Sequence, residues 1–169
     1  MAAPDGPEPV IPRNGMVYHI GNARHPKFLT AVGMVGGPVK LSSGSPGEWT
    51  VRSCPHEVGT FYLECNAAFL DTHGVDCNVW NNGGSSVRNL IDGNTSKHAG
   101  NLRWRLLSCP HSDDSKSFYI INARHGTFVD ADQGVAVKCW NNGGSSPENI
   151  ISGNTSKWAG NLRWYFTEV

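Results

Sequence analysis

Apolar positions recur at short, two-residue spacings along this chain, and no long stretch keeps the 3.6-residue period of an amphipathic helix. Tyr18 and Ile20 are spaced in this way, as are Phe118 and Ile120, and Gly-containing turns separate such runs. Side chains two residues apart lie on the same face of a strand. The pattern therefore predicts many short, half-buried strands and few helices.

The pattern occurs three times. Residues 81–104 recur at 141–164 with 19 of 24 positions identical. The front half of the repeat is found at 18–28 and 118–128, which share Asn-Ala-Arg-His, and in shortened form at 62–69. Self-similarity of this kind indicates an assembly of equivalent structural units.

Each repeat closes on a tryptophan that begins another alternating run. Trp49, Trp104 and Trp164 hold these positions and predict three equivalent places in one core. Three repeats are too few for a propeller, which needs at least about four blades, and a solenoid needs caps. A closed barrel can be built from three repeats and leaves no exposed strand edges. The sequence therefore predicts an all-β barrel with pseudo-three-fold symmetry and about four strands in each repeat.

The repeats also define the domain. Residues 1–14 are Pro-rich and predict a flexible arm, and residues 15–169 predict a single domain, as the length of the chain leads one to expect. The three repeats fall at about 15–56, 57–111 and 112–169.

The charge balance restricts the class of partner. Lys and Arg together number 14, and so do Asp and Glu. No net field would attract nucleic acid or an anionic membrane, and no segment is long and apolar enough to insert into a bilayer. We therefore expect an uncharged partner.

The cysteines and the N-terminus bear on the cellular compartment. Five cysteines are an odd number, which fits reduced thiols better than a secreted disulfide framework. The N-terminus carries no basic start followed by an apolar run, so no signal peptide is predicted. Both observations favour a cytoplasmic location.

Two repeats carry the same polar and aromatic residues. In each, an Asp is followed nine or ten residues later by a Trp, and an Asn comes three residues before the closing tryptophan. These residues are Asp71, Trp80 and Asn101 in the second repeat and Asp130, Trp140 and Asn161 in the third. An ionised Asp accepts hydrogen bonds from two adjacent hydroxyls, an Asn amide both donates and accepts, and an indole can cover the apolar face of a sugar. The pattern indicates two sites for a neutral saccharide.

The first repeat lacks this set. Thr30 stands at the Asp position, either Leu41 or Ser42 stands at the Trp position, and the loop before Trp49 is short. If the residues only held the fold together, all three repeats would need them. Because the core tryptophan is kept and the others are not, we expect a site in the second and third repeats but none, or a degenerate one, in the first.

The layout Phe-Val-Asp, Val-x-x-Trp and Asn-x-x-Trp resembles the ricin B-type β-trefoil lectins, especially the cytosolic ones of mushrooms, over residues 15 to 169. The resemblance implies a β-trefoil fold and galactose-type sites formed by the two Asp, Trp and Asn sets. Two departures concern the sugar: Leu102 and Leu162 replace the Gln of the family motif, and the loops before Trp104 and Trp164 are longer than is usual.

Further residues next to these sets are candidates for sugar contacts. They are Asn81, Asn82 and His98 in the second repeat and Asn141, Asn142 and Trp158 in the third. His98 and Trp158 hold the same loop position, so the two sites need not share one affinity or preference.

Other roles remain open for these side chains. The two Asp residues could cap turns, the two Trp residues could be buried under the long loops, and the Asn pairs could be turn residues before Gly-Gly. Cys54, His56, Cys109 and His111 form a zinc-like ligand set, but three-fold symmetry would hold its halves apart. We expect no metal and no cofactor.

The sequence thus predicts a lectin rather than an enzyme, because each site has one carboxylate where glycoside hydrolysis needs two. Its expected ligands are glycans that carry galactose or N-acetylgalactosamine, bound multivalently and with homodimer formation as an option. By the mushroom resemblance a defence role is plausible. The alternatives are a β-trefoil protease inhibitor that presents one surface loop and an intracellular protein-binding trefoil.

Overall fold

A computed structural model describes residues 8–31, 36–81, 86–111, 116–155 and 157–169, and for residues 97, 98, 142, 157 and 158 it describes the backbone alone. Within these ranges each repeat contributes four strands. The first repeat forms β1 (Val17–Asn22), β2 (Phe28–Ala31), β3 (Val39–Ser42) and β4 (Trp49–Ser53). The second forms β5 (Phe61–Cys65), β6 (Ala68–His73), β7 (Asp76–Trp80) and β8 (Trp104–Ser108). The third forms β9 (Phe118–Asn122), β10 (Phe128–Asp132), β11 (Ala136–Trp140) and β12 (Arg163–Glu168).

Helices occur in the long loops of the second and third repeats. The α-helices are α1 (Val87–Gly93) and α2 (Pro147–Gly153), and 3-10 helices span Lys97–Leu102, Asn142–Gly144 and Lys157–Leu162. Ser86 and Ser146 cap the two α-helices by accepting hydrogen bonds from the backbone N–H groups at their N3 positions. No helix in the described ranges is long and apolar enough to cross a membrane.

Six strands form a closed antiparallel barrel in the order β1, β4, β5, β8, β9 and β12. Pairing of β1 with β12, from Tyr18 opposite Glu168 to Asn22 opposite Trp164, closes it. The remaining strands form the hairpins β2–β3, β6–β7 and β10–β11, which meet around the pseudo-three-fold axis. The predicted all-β, β-trefoil fold is confirmed.

The three closing tryptophans lie in the core. Trp49, Trp104 and Trp164 are fully buried. Their indole N–H groups donate to the backbone carbonyl oxygens of Leu29, Leu70 and Val129, at 3.1, 3.0 and 2.9 Å respectively. The predicted equivalence of the three positions therefore extends to their hydrogen bonds.

Residues 8–14, part of the segment predicted to be a flexible arm, contact the barrel. The backbone N–H of Val10 donates to the carbonyl oxygen of Phe166 at 2.8 Å, and Arg13 forms a 2.9 Å ion pair with Glu168. Asn14 Oδ1 accepts a hydrogen bond from the backbone N–H of Ser53. The described part of the segment is therefore held along β4 and β12.

All five cysteines are free and buried. Cys54 and Cys109 pack in two separate apolar clusters beside the barrel, where their thiols face Tyr62 and Tyr119. The two halves of the Cys-Pro-His set therefore lie apart. Among the described residues no group of three or more His, Cys, Asp or Glu side chains is arranged to hold a metal ion.

We expect Trp49→Phe to lower the free energy of unfolding by about 1–3 kcal/mol, because it removes a buried hydrogen bond and leaves space where the indole was. Urea denaturation measures this change. Trp80→Phe, at a half-buried position, is the matched control and should cost less than about 1 kcal/mol. Equal losses in the two variants would contradict the distinction between core and surface tryptophans.

Candidate functional site

Strand register brings Asp71 and Trp80 to one face of the β6–β7 hairpin. Phe69 pairs with Trp80, and Asp71 pairs with Asn78. Successive side chains of a strand point to opposite faces, so all four of these residues share a face. Asp71 and Trp80 are diagonal neighbours across the hairpin, a distance that long side chains can span.

The β10–β11 hairpin keeps this arrangement although it contains one more residue. Phe128 pairs with Trp140, and Asp130 pairs with Lys138. The added residue is taken up in the turn, where Gln133 and Gly134 have φ angles of 52° and 70°. Asp and Trp therefore have the same relative positions in the two hairpins although their spacings in the sequence differ.

The register also resolves the open alignment of the first repeat. Phe28 pairs with Ser42, and Thr30 pairs with Lys40. Ser42 rather than Leu41 therefore occupies the position of Trp80 and Trp140. Neither an acidic nor an aromatic side chain is present at these two positions of the first hairpin.

A cleft with a volume of about 300 Å³ lies above the second hairpin. It brings together the predicted residues Asp71, Trp80 and Asn101. Its other lining residues, which the sequence did not identify as site residues, are His73, Asn94, Ser96, Ala99 and Leu102. The long loop after Trp80 therefore forms one wall of the cleft, and we call this group the second-repeat site.

The third-repeat site consists of Asp130, Trp140 and Asn161 at the equivalent positions. The 3-10 helix that carries Asn161 packs on β10, as the 3-10 helix that carries Asn101 packs on β6. The hydrogen bonds from Trp104 and Trp164 end on the residues directly before Asp71 and Asp130. These hydrogen bonds therefore fix the distance of each Asp from the core tryptophan of its repeat.

Both site tryptophans are half-buried. Trp80 packs against the cluster that contains Tyr62, Phe69 and Leu90, and Trp140 packs against the equivalent cluster of the third repeat. Each indole is thus supported by apolar side chains while part of its surface stays exposed. Neither is sealed under its loop.

Asp71 is only 4% exposed. Burial raises the pKa of its carboxyl, and the charges of His73 and His125 partly oppose this shift. His73 Nε2 lies 2.9 Å from Asp71 Oδ2 and is itself largely exposed. Asp71 lies within β6, and the backbone hydrogen bond at Thr72 also favours its ionised form.

Asp130 has different electrostatic surroundings. Burial and the charge of Asp132 together raise the pKa of Asp130 to about 6. Asp132 holds the strand position that His73 holds in the second repeat, so a carboxylate replaces an imidazole. The neighbouring Lys138 is paired with Asp76 at 2.7 Å. The charge next to the Asp therefore differs between the two sites.

Asn101 is contacted by residues of the third repeat. His125 Nε2 lies 2.8 Å from Asn101 Oδ1, and Arg124 donates a hydrogen bond to the same oxygen at 3.3 Å. The side-chain amide of Asn122 donates to the backbone carbonyl oxygens of Gly100 and Asn101 at 3.2 and 3.0 Å. The second-repeat site is thus bordered by the repeat that follows it.

Asn161 is contacted in the same way by the first repeat. His25 Nε2 lies 2.9 Å from Asn161 Oδ1, and Arg24 donates to that oxygen at 3.4 Å. The Asn22 amide donates to the carbonyl oxygens of Gly160 and Asn161 at 3.2 and 3.1 Å. The closed barrel makes this contact possible because it brings the first repeat next to the third.

Sequence reasoning missed the Arg and His residues of these contacts. In the sequence the Asn-Ala-Arg-His segments indicate only a repeat, and nothing within a repeat connects them to another repeat's site. A signal exists in their distribution. The first and third repeats carry the full segment, whereas the second has Asn66-Ala67-Ala68.

The other predicted contact residues follow the site tryptophans or lie in the long loops. Asn81 and Asn141 come directly after β7 and β11, at the edge of each site. Asn82 lies outside the described residues, as do the side chains of Asn142, His98 and Trp158. Sugar contact by these residues stays a prediction.

Comparison with solved structures finds the same fold at low sequence identity. BEL β-trefoil in an apo crystal form matches with a TM-score of 0.64 and 11% identity, covering 97% of this chain and 100% of that chain. SeviL bound to asialo-GM1 saccharide matches with a TM-score of 0.62 and 11% identity, covering 92% and 99%. A proteinase inhibitor from Coprinopsis cinerea matches with a TM-score of 0.60 and 11% identity, covering 93% and 99%.

No protein-family model matches the chain, and no curated protein matches its sequence. Identities of 11% support a common fold and nothing finer. The fold is thus compatible both with a saccharide-bound protein and with a proteinase inhibitor, and the choice between them depends on the site.

We expect Asp130→Asn to stabilise the protein at pH 8 by about 1 kcal/mol, since it removes a partly desolvated charge that solvent still screens in part. The folded-state pKa of Asp130 is about 6, above its ordinary value of 3.8, so ionisation opposes folding. The penalty is complete above pH 6 and absent below about pH 4. Thermal unfolding of both proteins between pH 4 and pH 8 measures it, and a gain that does not shrink on acidification would contradict it.

Proposed function

We propose that this protein is a lectin that binds galactose- or N-acetylgalactosamine-type glycans through the second- and third-repeat sites. One observation carries the proposal. Two repeats present an Asp, a half-exposed Trp and an Asn at matched positions, while the first repeat keeps the core tryptophan and has Thr30 and Ser42 instead. The fold does not require the set, so a ligand is the better reason for it.

The chemistry of the set suits a neutral saccharide. The Asp carboxylate is a hydrogen-bond acceptor for one or two ring hydroxyls, and the Asn amide contributes a donor. The half-buried indole supplies an apolar surface for ring C–H groups. A volume of about 300 Å³ in the second-repeat site is in the range of small-ligand pockets. The saccharide complex of SeviL, which has the same fold, supports the proposal by analogy.

Two sites on one rigid body favour multivalent binding. A shallow saccharide site gains little buried area, so each site alone should bind weakly. Glycans displayed densely on a surface would engage both sites, and a dimer would double the number again. We therefore propose cell-surface or glycoprotein glycans as the partners.

The proposed function is binding without chemistry. Glycoside hydrolysis uses two carboxyl groups about 5–10 Å apart on either side of the scissile bond. In the second-repeat site the position equivalent to Asp132 is His73, so the two sites do not share a carboxylate pair. A common catalytic mechanism at both sites is therefore not supported.

The alternative from a different class is a protease inhibitor. The fold match to the Coprinopsis cinerea inhibitor favours it, because the same scaffold can present a loop to a protease cleft. Such a function needs one exposed loop and does not require the Asp, Trp and Asn set in two repeats. Titration of papain and trypsin with the protein separates the two functions.

The test is a glycan array probed with wild type, Trp80→Ala, Trp140→Ala and the double variant. Each single variant should lose part of the binding to galactose-terminated glycans, because one site of two remains. The double variant should lose it completely, since both apolar platforms are gone.

Ser42→Ala is the matched control, at the equivalent position of the first repeat, and should bind as wild type does. Circular dichroism spectra check that all variants fold. Unchanged binding by the double variant would contradict the site assignment. Absence of glycan binding by wild type, together with tight inhibition of papain or trypsin, would favour the inhibitor.

Binding at the third-repeat site should weaken as the pH falls through about 6. Asp130 must be ionised to accept two hydrogen bonds, and its pKa is about 6. In the Trp80→Ala protein the third-repeat site is the one proposed site that remains. The affinity of this protein for a galactose-terminated glycan can be measured by surface plasmon resonance between pH 5 and pH 8. Adding Asp130→Asn should abolish the pH dependence. A flat profile in the Trp80→Ala protein would refute a role for the ionised carboxylate.

A further inference from the structure

The orientation of the Asn101 amide can be deduced from its partners. Arg124 Nη1 and His125 Nε2 both face one atom of this amide. A guanidinium only donates hydrogen bonds, so the atom that it faces must be the amide oxygen and not the nitrogen. The same oxygen requires a proton on His125 Nε2.

This orientation leaves the Asn101 NH₂ group available to a ligand. Within the described residues Asn101 Nδ2 makes no hydrogen bond, and it is not sealed from solvent. Asn101 lines the same cleft as Asp71, which can only accept hydrogen bonds when ionised. Asn101 therefore supplies an oriented donor, and Asp71 supplies an acceptor, in the same cleft.

The third-repeat site has the same contacts, which are made by residues of the first repeat. Arg24 and His25 face Asn161 Oδ1, and Asn161 Nδ2 makes no hydrogen bond within the described residues. The His25 ring also lies against Gly134, where an added Cβ would come within 2.6 Å of Nδ1. His25 thus reaches the turn that follows Asp132.

Each Arg-His pair packs closely against the long loop of the preceding repeat. A Cβ added to Gly100 would lie 2.7 Å from the Arg124 Cβ, and one added to Gly160 would lie 2.9 Å from the Arg24 Cβ. Glycine at these two positions allows the 3-10 helices to approach the neighbouring repeat. The amide orientation therefore rests on a rigid contact.

The distribution of the Arg-His pairs matches the distribution of the sites. In the closed barrel the third repeat borders the second-repeat site, and the first repeat borders the third-repeat site. The third and first repeats are the ones that carry an Arg-His pair. The second repeat would border the equivalent position of the first, and in its shortened segment Ala68 stands where the Arg would be and the His is missing. The first repeat carries neither the Asp nor the Trp, so no pair is needed there.

We propose that each saccharide site is shared between two consecutive repeats, with Arg124 and His125 positioning the Asn101 amide and Arg24 and His25 positioning the Asn161 amide. The proposal rests on the lectin function. It specifies the ligand as a saccharide with two neighbouring hydroxyls, one accepting a hydrogen bond from the Asn NH₂ and the other donating to the Asp carboxylate. The four basic residues are positioning residues that act through the amides.

The experiment uses single-site proteins. Trp140→Ala leaves the second-repeat site, and Trp80→Ala leaves the third-repeat site. His125→Ala should weaken binding of a galactose-terminated glycan about fivefold to tenfold in the first protein, and His25→Ala should do the same in the second. Each histidine variant should act only on the protein whose remaining site it borders, although His25 lies in the repeat without a site.

A double-mutant cycle separates positioning from general support of the fold. In the Trp140→Ala protein, Asn101→Ala and His125→Ala should each weaken binding, and the combination should be no worse than Asn101→Ala alone. His125→Gln, which keeps a side-chain donor, should recover most of the affinity. In a panel of monodeoxyfluoro galactosides, fluorine replaces one hydroxyl at a time and is a poor hydrogen-bond acceptor. The Trp140→Ala protein should bind one of these analogues more weakly than galactose, at the hydroxyl that accepts from Asn101. Both alanine variants should lose this difference in affinity.

The side-chain amide signals of Asn101 and Asn161 give a readout that needs no ligand. In nitrogen–proton correlation spectra of the full chain, His125→Ala should shift the Asn101 NH₂ signals, and His25→Ala should shift those of Asn161. Additive losses in the cycle, effects at the wrong site or unshifted amide signals would each overturn the shared-site proposal. If wild type bound no glycan, the lectin function would fail, and the amide signals would still decide the positioning.

Discussion

A hydrogen bond from a buried indole connects the barrel to each hairpin. The closing tryptophan of every repeat donates to the carbonyl oxygen of the residue directly before the position of Thr30, Asp71 or Asp130. A buried N–H group without an acceptor would destabilise the protein by about 1–3 kcal/mol. This hydrogen bond therefore fixes the position of the hairpin relative to the barrel. The bond is present in all three repeats. The scaffold therefore places the next residue, which is Thr30, Asp71 or Asp130, at the same position in each repeat.

Barrel closure brings neighbouring repeats together at the candidate sites. β1 pairs with β12 along five residues, which brings the first repeat against the long loop of the third. The Asn22 and Asn122 amides then hold the two 3-10 helices by their backbone carbonyl groups. Each long loop is thus fixed at one end by its own repeat and at the other by the next.

The sites place carboxylates where burial disfavours their charge. Burial raises the pKa of Asp71 and Asp130, and only Asp71 has a close imidazole to oppose the shift. A group that costs stability and is nevertheless present in two repeats is typical of a functional position. Because His73 and Asp132 occupy equivalent strand positions, the two sites differ in the charge next to the Asp.

The sequence by itself determined the fold, the repeats, the three core tryptophans and the Asp, Trp and Asn sets, because two-residue periodicity and repetition are local properties of a chain. It could not choose between Leu41 and Ser42, since a one-residue change of register moves a side chain to the opposite face. It also could not connect His25 with Asn161, which are 136 residues apart in the chain and 2.9 Å apart in space. Only the closed barrel decides that contact, because pairing of the first strand with the last is what brings the two repeats together.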